Sequence, residues 1–199
     1  MRFNIDDIKT IKVMAEMFMT NMEDPKQSAR IHNIIDKCDA CLSFRLKSRI
    51  SPERKSRCNE LVRAGAKMVS EYSGYAGDMG MINEYDRMKK EIAVISDSIG
   101  DVEGQLRADA EMAKRELEVV LERIKDDILA NDEAKSNAEA ERKAKTDMRF
   151  TVAMEDYGEL VKYATVIKNK YRSLIDTRDD LRQSVSTARN SIVAEGYNK

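Results

Sequence analysis

The chain has 199 residues, of which 36% are charged and 42% hydrophobic, with 2 prolines, 8 glycines, no tryptophan and 4 phenylalanines. This mixture is typical of long helices and excludes a sheet protein, which needs more turn residues and more aromatic side chains. The net charge of −1 comes from 35 basic and 36 acidic side chains, so the whole-chain charge does not indicate a nucleic-acid partner.

The N-terminal 75 residues predict three short helices, at residues 6–22, 27–48 and 52–72. The pair Asp24 and Pro25 should end the first helix. Ser51 followed by Pro52 is a good start signal for the third, with Ser51 as the N-cap and proline at the first helical position. The segment SGYAGDMG then has three glycines in eight residues. We expect a boundary there, between a short-helix region at 1–75 and a second region at 76–199.

A heptad pattern runs through residues 81–130 and predicts one long helix. Its apolar positions are spaced alternately by three and four residues: Tyr85, Met88, Ile92, Ile95, Ile99, Val102 and Leu106. Gly100 and Gly104 each weaken the middle of this helix by about 1 kcal/mol relative to alanine, so it depends on tertiary packing.

A second long helix is predicted at residues 144–193, and it contains a run of five heptads. Its seam positions are Tyr157, Leu160, Ala164, Ile167, Tyr171, Leu174, Arg178, Leu181, Val185, Ala188 and Ile192. Arg178 is the one residue unsuited to an apolar seam, and we interpret it as a register-setting residue paired with an acid on the first arm, near Asp109.

The polar segment 131–145 lies between the two runs and has no hydrophobic pattern of its own. The chain should turn there, with Asn131 and Asp132 as N-cap candidates. Two arms of about 50 residues, each roughly 75 Å long as helix, predict an all-α fold in which a short-helix bundle precedes a long antiparallel coiled-coil hairpin. A parallel coiled coil between chains would use the same seams and stays open as an alternative.

Charge is segregated along the chain. Residues 37–67 carry nine Lys or Arg against three Asp or Glu, residues 71–141 nine against nineteen, and residues 142–189 eleven against seven. Such segregation can steer polyanions and can drive association of unlike faces. Together with the seams, it predicts a homo-oligomer.

No known catalytic arrangement is recognisable. The chain has no GxxxxGK[ST] or GxGxxG loop and a single histidine, so we expect neither enzyme activity nor a cofactor. A zinc site could be assembled from His32, Cys38, Cys41 and Cys58. Since CDAC lies inside a predicted helix and no second C-x2-C pair exists, ordinary reduced helical cysteines are the better interpretation. Similarly, Met14, Met17, Met19 and Met22 are either core filler or an adaptable partner surface, and we expect core.

The N-terminus MRFNIDDIKT lacks the apolar core of a signal peptide, and no stretch approaches the roughly 20 apolar residues of a membrane span. We therefore expect a cytoplasmic protein, in the host cytoplasm if it is viral, with no membrane partner.

Two basic segments are candidate phosphate contacts. Their cations are Arg45, Lys47, Arg49, Arg54, Lys55 and Arg57 in FRLKSRISPERKSR, and Arg142, Lys143, Lys145 and Arg149 after residue 141. The alternative is a solvated turn, or docking of the acidic middle segment on the first cluster. Phe44 and Phe150 are the aromatic residues best placed beside the cations to stack on bases.

From Glu139 onward, the order EAERKAKTDMRF, DYGELVKYATVIKNKYRSLI and DTRDDLRQSVSTARNSI resembles the C-terminal part of bacteriophage UvsY-type recombination mediators. The shared layout is a charged turn, a long helix and closing cations. The resemblance covers about a quarter of the chain and implies a ring-like homo-oligomer that helps a recombinase partner onto single-stranded DNA. The chain departs from the family in being longer by its N-terminal helices.

Two function classes follow. The first is a non-enzymatic nucleic-acid-binding accessory protein, supported by the resemblance and the two basic segments. The second is a structural or scaffolding protein, such as a viral assembly component or a protein–protein adaptor, supported by the coiled coil alone.

Overall fold

A computed structural model describes residues 5–20, 25–73 and 81–197, and this part of the chain is helical with no strand. The helices in chain order are α1 (Ile5–Met19), α2 (Pro25–Leu42), α3 (Pro52–Ser73), α4 (Met81–Ala130), α5 (Asn137–Thr146) and α6 (Met148–Tyr197). The prediction of an all-α protein is confirmed. None of the described helices carries an apolar stretch that could span a bilayer.

The two long helices follow the heptad pattern closely. α4 has the predicted bounds, and α6 begins at Met148 rather than at residue 144. Along α4, Met88, Ile92, Ile99 and Leu106 are fully buried. These apolar positions therefore form a continuous buried stripe, as the spacing requires.

The second helix is shorter than predicted. α2 begins at Pro25 and ends at Leu42, so the prediction of a helix through residue 48 was wrong. The reason is that Phe44, Leu46 and Ile50 are all buried while the residues between them are not, which an extended turn satisfies and a helix does not. The predicted end of the first helix at Met22 and the glycine-rich boundary at residues 74–80 lie outside the described residues.

The C-terminus of α4 is closed by a Schellman motif. The N–H of Asp132 donates to the carbonyl of Leu129 at 3.2 Å, and the N–H of Glu133 donates to the carbonyl of Ile128 at 3.0 Å. Asp132 occupies the left-handed position with φ 55°. It is therefore the C′ residue of α4, and the prediction that it caps the N-terminus of a helix was wrong.

The connection between the long helices contains α5. Ser136 is its N-cap, with the side-chain oxygen accepting a hydrogen bond from the N–H of Glu139 at 3.3 Å. Asp147 ends α5 and also starts α6, because its Oδ1 accepts from the N–H of Arg149 at 2.8 Å. The segment predicted as a plain turn therefore holds a further helix, whose buried side chains are only Ala140 and Ala144.

The chain forms two compact units, each containing part of α4 and part of α6. Unit 1 comprises Met1–Ile50 and Asp109–Leu160, and unit 2 comprises Ser51–Ala108 and Val161–Lys199. The predicted boundary between residues 75 and 76 lies outside the described residues. Each unit combines segments from both sides of that boundary.

In unit 2, α3 packs with the first part of α4 and the last part of α6. The buried cluster consists of Tyr72, Met88, Ile92, Leu181 and Val185. Farther along, a Cβ added at Gly100 would lie 3.3 Å from Cε2 of Tyr171.

Arg178 does not take part in the core of unit 2. Its guanidinium is exposed and contacts Asp179 at 3.3 Å, whereas the neighbouring Thr177 is buried. The expected register-setting role in the seam was wrong, since the helix turns Thr177 inward instead.

In unit 1, two buried clusters hold the helices together. One consists of Ile8 on α1, Cys38 on α2 and Val152 on α6. The other joins Phe44 of the turn after α2 to α4 and α5, and its buried members are Phe44, Ile124, Ile128, Ala140 and Ala144.

Candidate functional site

The ten cations predicted to contact nucleic acid fall into both units. Those of unit 1 are Arg45, Lys47 and Arg49 after α2, Arg142, Lys143 and Lys145 on α5, and Arg149 on α6. Those of unit 2 lie at the start of α3 and are Arg54, Lys55 and Arg57. The basic cluster at residues 45–57 is therefore divided between the units.

Arg45 is held by a buried carboxylate. Its Nη2 lies 2.6 Å from Oδ1 of Asp156, and its Nε lies 3.2 and 3.3 Å from the two carboxylate oxygens. The backbone N–H of Leu46 donates to Oδ2 of the same carboxylate at 3.0 Å. The Asp156 side chain is 1% exposed. The hydrogen bonds with the Asp156 carboxylate raise the pKa of Arg45. The Arg45–Asp156 ion pair therefore attaches the turn after α2 to α6.

Glu116 of α4 fixes the next residues of that turn. Its Oε2 accepts hydrogen bonds from the backbone N–H of Lys47 at 2.8 Å, from the N–H of Ser48 at 3.2 Å and from the Ser48 hydroxyl at 3.1 Å. Backbone N–H groups of the turn after α2 therefore donate hydrogen bonds to carboxylates on α4 and α6. The Lys47 side chain remains exposed.

Arg149 also forms ion pairs within unit 1, with two carboxylates. Its Nη1 lies 2.7 Å from Oδ2 of Asp127, and its Nη2 lies 2.9 Å from Oδ2 of Asp147. Its guanidinium is also 5.4 Å from the centroid of the Phe44 ring, and that of Arg123 is 5.0 Å from the same ring. The Phe44 ring is therefore contacted by one predicted cation, Arg149, and by Arg123, which lies outside both predicted basic segments.

Two cations of α5 pair with acids on the exposed face of the same helix. Lys143 lies 3.1 Å from Oε1 of Glu139, and Lys145 lies 2.6 Å from Oε1 of Glu141. The backbone N–H of Lys135, followed by Lys143, lowers the pKa of Glu139. Such exposed pairs contribute little to stability but reduce the positive charge presented to a ligand.

Four predicted cations form no ion pair with the described residues. They are Lys47, Arg49, Arg57 and Arg142, and all four are exposed. Arg49 donates to the carbonyl of Leu46 at 3.0 Å. The cationic surface of unit 1 is therefore smaller than the sequence predicted.

The aromatic residues expected to stack on bases are used for packing. Phe44 is 9% exposed and belongs to the core of unit 1, and Phe150 packs against the same cluster. The suggestion that these rings are available to bases was wrong.

Three residues that organise this site were not predicted from the sequence: Glu116, Arg123 and Asp156. Asp156 stands between Glu155 and Tyr157, and its sequence neighbours give no sign that its carboxylate is buried. Arg123 and Asp156 each stand one residue before an apolar residue, Ile124 and Tyr157, and this position does not reveal the contacts of their side chains.

The cysteines do not assemble with His32. Among residues 5–20, 25–73 and 81–197, no three His, Cys, Asp or Glu side chains are grouped as metal ligands. His32 is exposed and its Nδ1 lies 3.1 Å from the carbonyl of Ser28. Cys58 belongs to unit 2, whereas Cys38 and Cys41 belong to unit 1. Burial raises the pKa of all three thiols.

An exposed apolar surface lies on the second half of α1. It consists of Val13, Met14, Met17 and Phe18, which are 52%, 52%, 66% and 60% exposed, and we call it the α1 patch. Residues spaced by three or four share a helix face, so these side chains form one surface of α1. The expectation that Met14 and Met17 are core filler was wrong.

No family model matches the chain, and comparison with curated proteins and with solved structures found no match.

Proposed function

We propose that this protein is a non-enzymatic helical scaffold that associates with further copies of itself through the α1 patch. The observation that carries the proposal is four large apolar side chains on one helix face, each more than half exposed. Leaving such a contiguous surface in water is unfavourable, and surfaces of this kind mark interaction sites.

A second copy of the chain is the occupant that the charges favour. The patch contains no charged side chain, so it can face itself without repulsion. Asp6 and Asp7 lie toward the start of α1, and in a parallel pair they would face the same residues of the other copy. An antiparallel pair separates them and places Met14 opposite Met17 of the second copy.

The scaffold itself is proposed to be an antiparallel hairpin of α4 and α6. Contacts within each unit support it: Met88 and Ile92 share a cluster with Leu181 and Val185 in unit 2, and Asp127 pairs with Arg149 in unit 1. In both cases an early residue of one long helix meets a late residue of the other.

Intrachain distances test the hairpin. Spin labels at exposed positions 89 and 183, in a chain whose native cysteines are replaced by serine and which is diluted with unlabelled chains, should lie close together. Separate arms of a parallel intermolecular coiled coil would place them tens of ångströms apart, because each helix is roughly 75 Å long. A long distance alone would overturn the hairpin.

Sedimentation tests self-association. The native chain should show concentration-dependent association over the micromolar range, since four side chains form a small interface compared with about 800 Å² per partner in stable complexes. The double change Met17→Glu and Phe18→Glu should give a monomer. Val94→Glu is the matched control, because Val94 is 67% exposed on α4 and lies outside the patch.

A native chain that stays monomeric at all these concentrations would overturn the proposal. Equal loss of association in the Val94 variant would also overturn it, because the effect would then not belong to the α1 patch. Helix content, measured by circular dichroism, should be the same in all variants.

A second candidate function is single-stranded nucleic-acid binding, as the resemblance to UvsY-type mediators implies. The observation that favours it is the turn after α2, where Lys47 and Arg49 are exposed on a backbone fixed by Glu116 and Asp156. Ordered cations on a rigid turn can contact successive phosphates.

A salt titration with a single-stranded oligonucleotide distinguishes this candidate. Changing Lys47 and Arg49 to alanine should weaken binding and reduce the salt slope by up to about 1.4, at roughly 0.7 for each lost contact. Changing Lys143 and Lys145, which already pair with acids, should have a smaller effect. No salt-dependent binding by the native chain would exclude this candidate.

A further inference from the structure

Cys38 and Cys41 lie on one face of α2, three residues apart. Side chains at this spacing are neighbours on a helix, with Cβ atoms about 5–6 Å apart. Both line the same apolar groove between α1, α2 and the start of α6, together with Ile8, Ile11 and Met148. The groove therefore presents a pair of sulfur atoms to any ligand that enters it.

No group of three or more His, Cys, Asp or Glu side chains that could hold a metal ion includes this pair among the described residues, and the other sulfur atom of the groove is the Met148 thioether. Asp39 already pairs with Lys12 at 2.5 Å, and Asp147 pairs with Arg149 at 2.9 Å. Zinc takes four ligands in structural sites, so two sulfur atoms in an apolar groove do not suit it. Hard cations that prefer oxygen ligands are excluded for the same reason.

We propose that Cys38 and Cys41 form a two-sulfur binding site for a soft monovalent metal ion, Cu(I). Thiolates select this ion, and a closed-shell monovalent ion is satisfied by two sulfur ligands. Binding forms two Cu–S bonds and releases both thiol protons to solvent, with no change in the oxidation state of copper or sulfur.

One cation on the groove can balance the resulting negative charge. The complex of Cu(I) with two thiolates carries a charge of −1. Lys37 lines the groove and forms no ion pair with the described residues. This proposal does not depend on self-association, because no residue of the α1 patch lines the groove.

Competition against a chromophoric Cu(I) chelator, bathocuproine disulfonate, tests the site under reducing, oxygen-free conditions. The native full-length chain should bind one Cu(I). Cys38→Ser and Cys41→Ser should each weaken binding by at least about 100-fold, more than the 10–100-fold cost of losing an outer-shell partner. Cys58→Ser is the matched control and should bind as the native chain does, since Cys58 does not line this groove.

Two further measurements use the native chain, so they do not require any variant to fold. X-ray absorption of the loaded native chain should report two sulfur ligands and no nitrogen. Loading should also slow alkylation of Cys38 and Cys41 by N-ethylmaleimide, read by mass spectrometry, without changing the rate at Cys58.

Loss of binding only when Cys58 is replaced would overturn the proposal. So would unchanged alkylation rates at Cys38 and Cys41 after loading. Retention of full affinity by the variant lacking both cysteines would place the copper elsewhere on the chain and would overturn it too.

Discussion

Arg45 and Asp156 are 111 residues apart in the chain, and their side chains form an ion pair in which Nη2 lies 2.6 Å from Oδ1. The Asp156 carboxylate is almost fully buried, and all of its described hydrogen bonds come from Arg45 and the N–H of Leu46. The turn after α2 is thus attached to α6 by one carboxylate.

Replacing Arg45 with alanine should destabilise unit 1, because Asp156 would be left as a buried charge without its main partner. We expect a loss of roughly 2–3 kcal/mol, below the 3–5 kcal/mol of a fully buried pair because the Arg45 side chain is 26% exposed. Urea denaturation followed by circular dichroism measures this. Replacing both residues with apolar ones, Arg45→Met and Asp156→Leu, should recover much of the loss, and no recovery would contradict the assignment.

Glu116 should hold the same turn in place. Changing it to glutamine removes the negative charge that accepts three hydrogen bonds from Lys47 and Ser48, and we expect a loss of about 1 kcal/mol. Limited trypsin digestion should then cut more quickly after Lys47 and Arg49. Glu118→Gln is the matched control on an exposed position of the same helix. Equal cleavage in both variants would show that Glu116 does not fix the turn.

The periodicity of the sequence predicted the long helices because their packing is repetitive. Heptad spacing fixes which residues of α4 and α6 are buried, and the burial of Ile92, Leu106, Leu174 and Leu181 follows from it. The all-helical class could be predicted from composition, because the chain is rich in charged residues and poor in proline, glycine and aromatic residues.

The parts that the sequence did not predict depend on single long-range contacts. α5 buries only Ala140 and Ala144, and alanine in a charged segment gives no clear periodic signal. The end of α2 at Leu42 has no glycine or proline to mark it and depends on Asp156 and Glu116, which are far away in the chain. The cations of the candidate site could be named from the sequence, but their acid partners could not.

At position 132, glycine should give a more stable protein than alanine. It adopts φ 55° at the end of α4, a left-handed conformation that costs energy for any residue with a Cβ atom. Asp132→Gly should therefore be more stable than Asp132→Ala by about 1 kcal/mol. Both changes remove the same charge, so their difference isolates the backbone conformation. Thermal denaturation compares them, and equal stabilities would contradict the Schellman assignment.

Glycines in the middle of α4 should respond differently to alanine. A Cβ at Gly104 would meet no atom within 4 Å, whereas one at Gly100 would lie 3.3 Å from the ring of Tyr171. We expect Gly104→Ala to stabilise unit 2 by about 1 kcal/mol through helix propensity. Gly100→Ala should gain clearly less, because the Tyr171 ring must move. Urea midpoints of the two variants provide the measurement, and a larger gain at Gly100 would contradict this packing.

Tyr72 should make the stability of the fold sensitive to alkaline pH. Its hydroxyl donates a hydrogen bond to Glu91, and the residue is 2% exposed. Burial, followed by the hydrogen bond to Glu91, raises the pKa of Tyr72 above its ordinary value. The unfolded chain therefore loses this proton at lower pH than the folded chain. The contribution of Tyr72 is complete below about pH 10 and declines as the pH rises beyond it.

Comparison with Tyr72→Phe isolates this effect from the other tyrosines and the lysines, which titrate in both proteins. The variant should be less stable than the native chain at pH 8, because Glu91 loses its donor. The difference between the two should shrink between about pH 10 and pH 11, since only the native chain has a proton to lose at this position. Free energies of unfolding at half-unit steps of pH give the comparison. A difference that stays constant across this range would show that the Tyr72 proton is not coupled to folding.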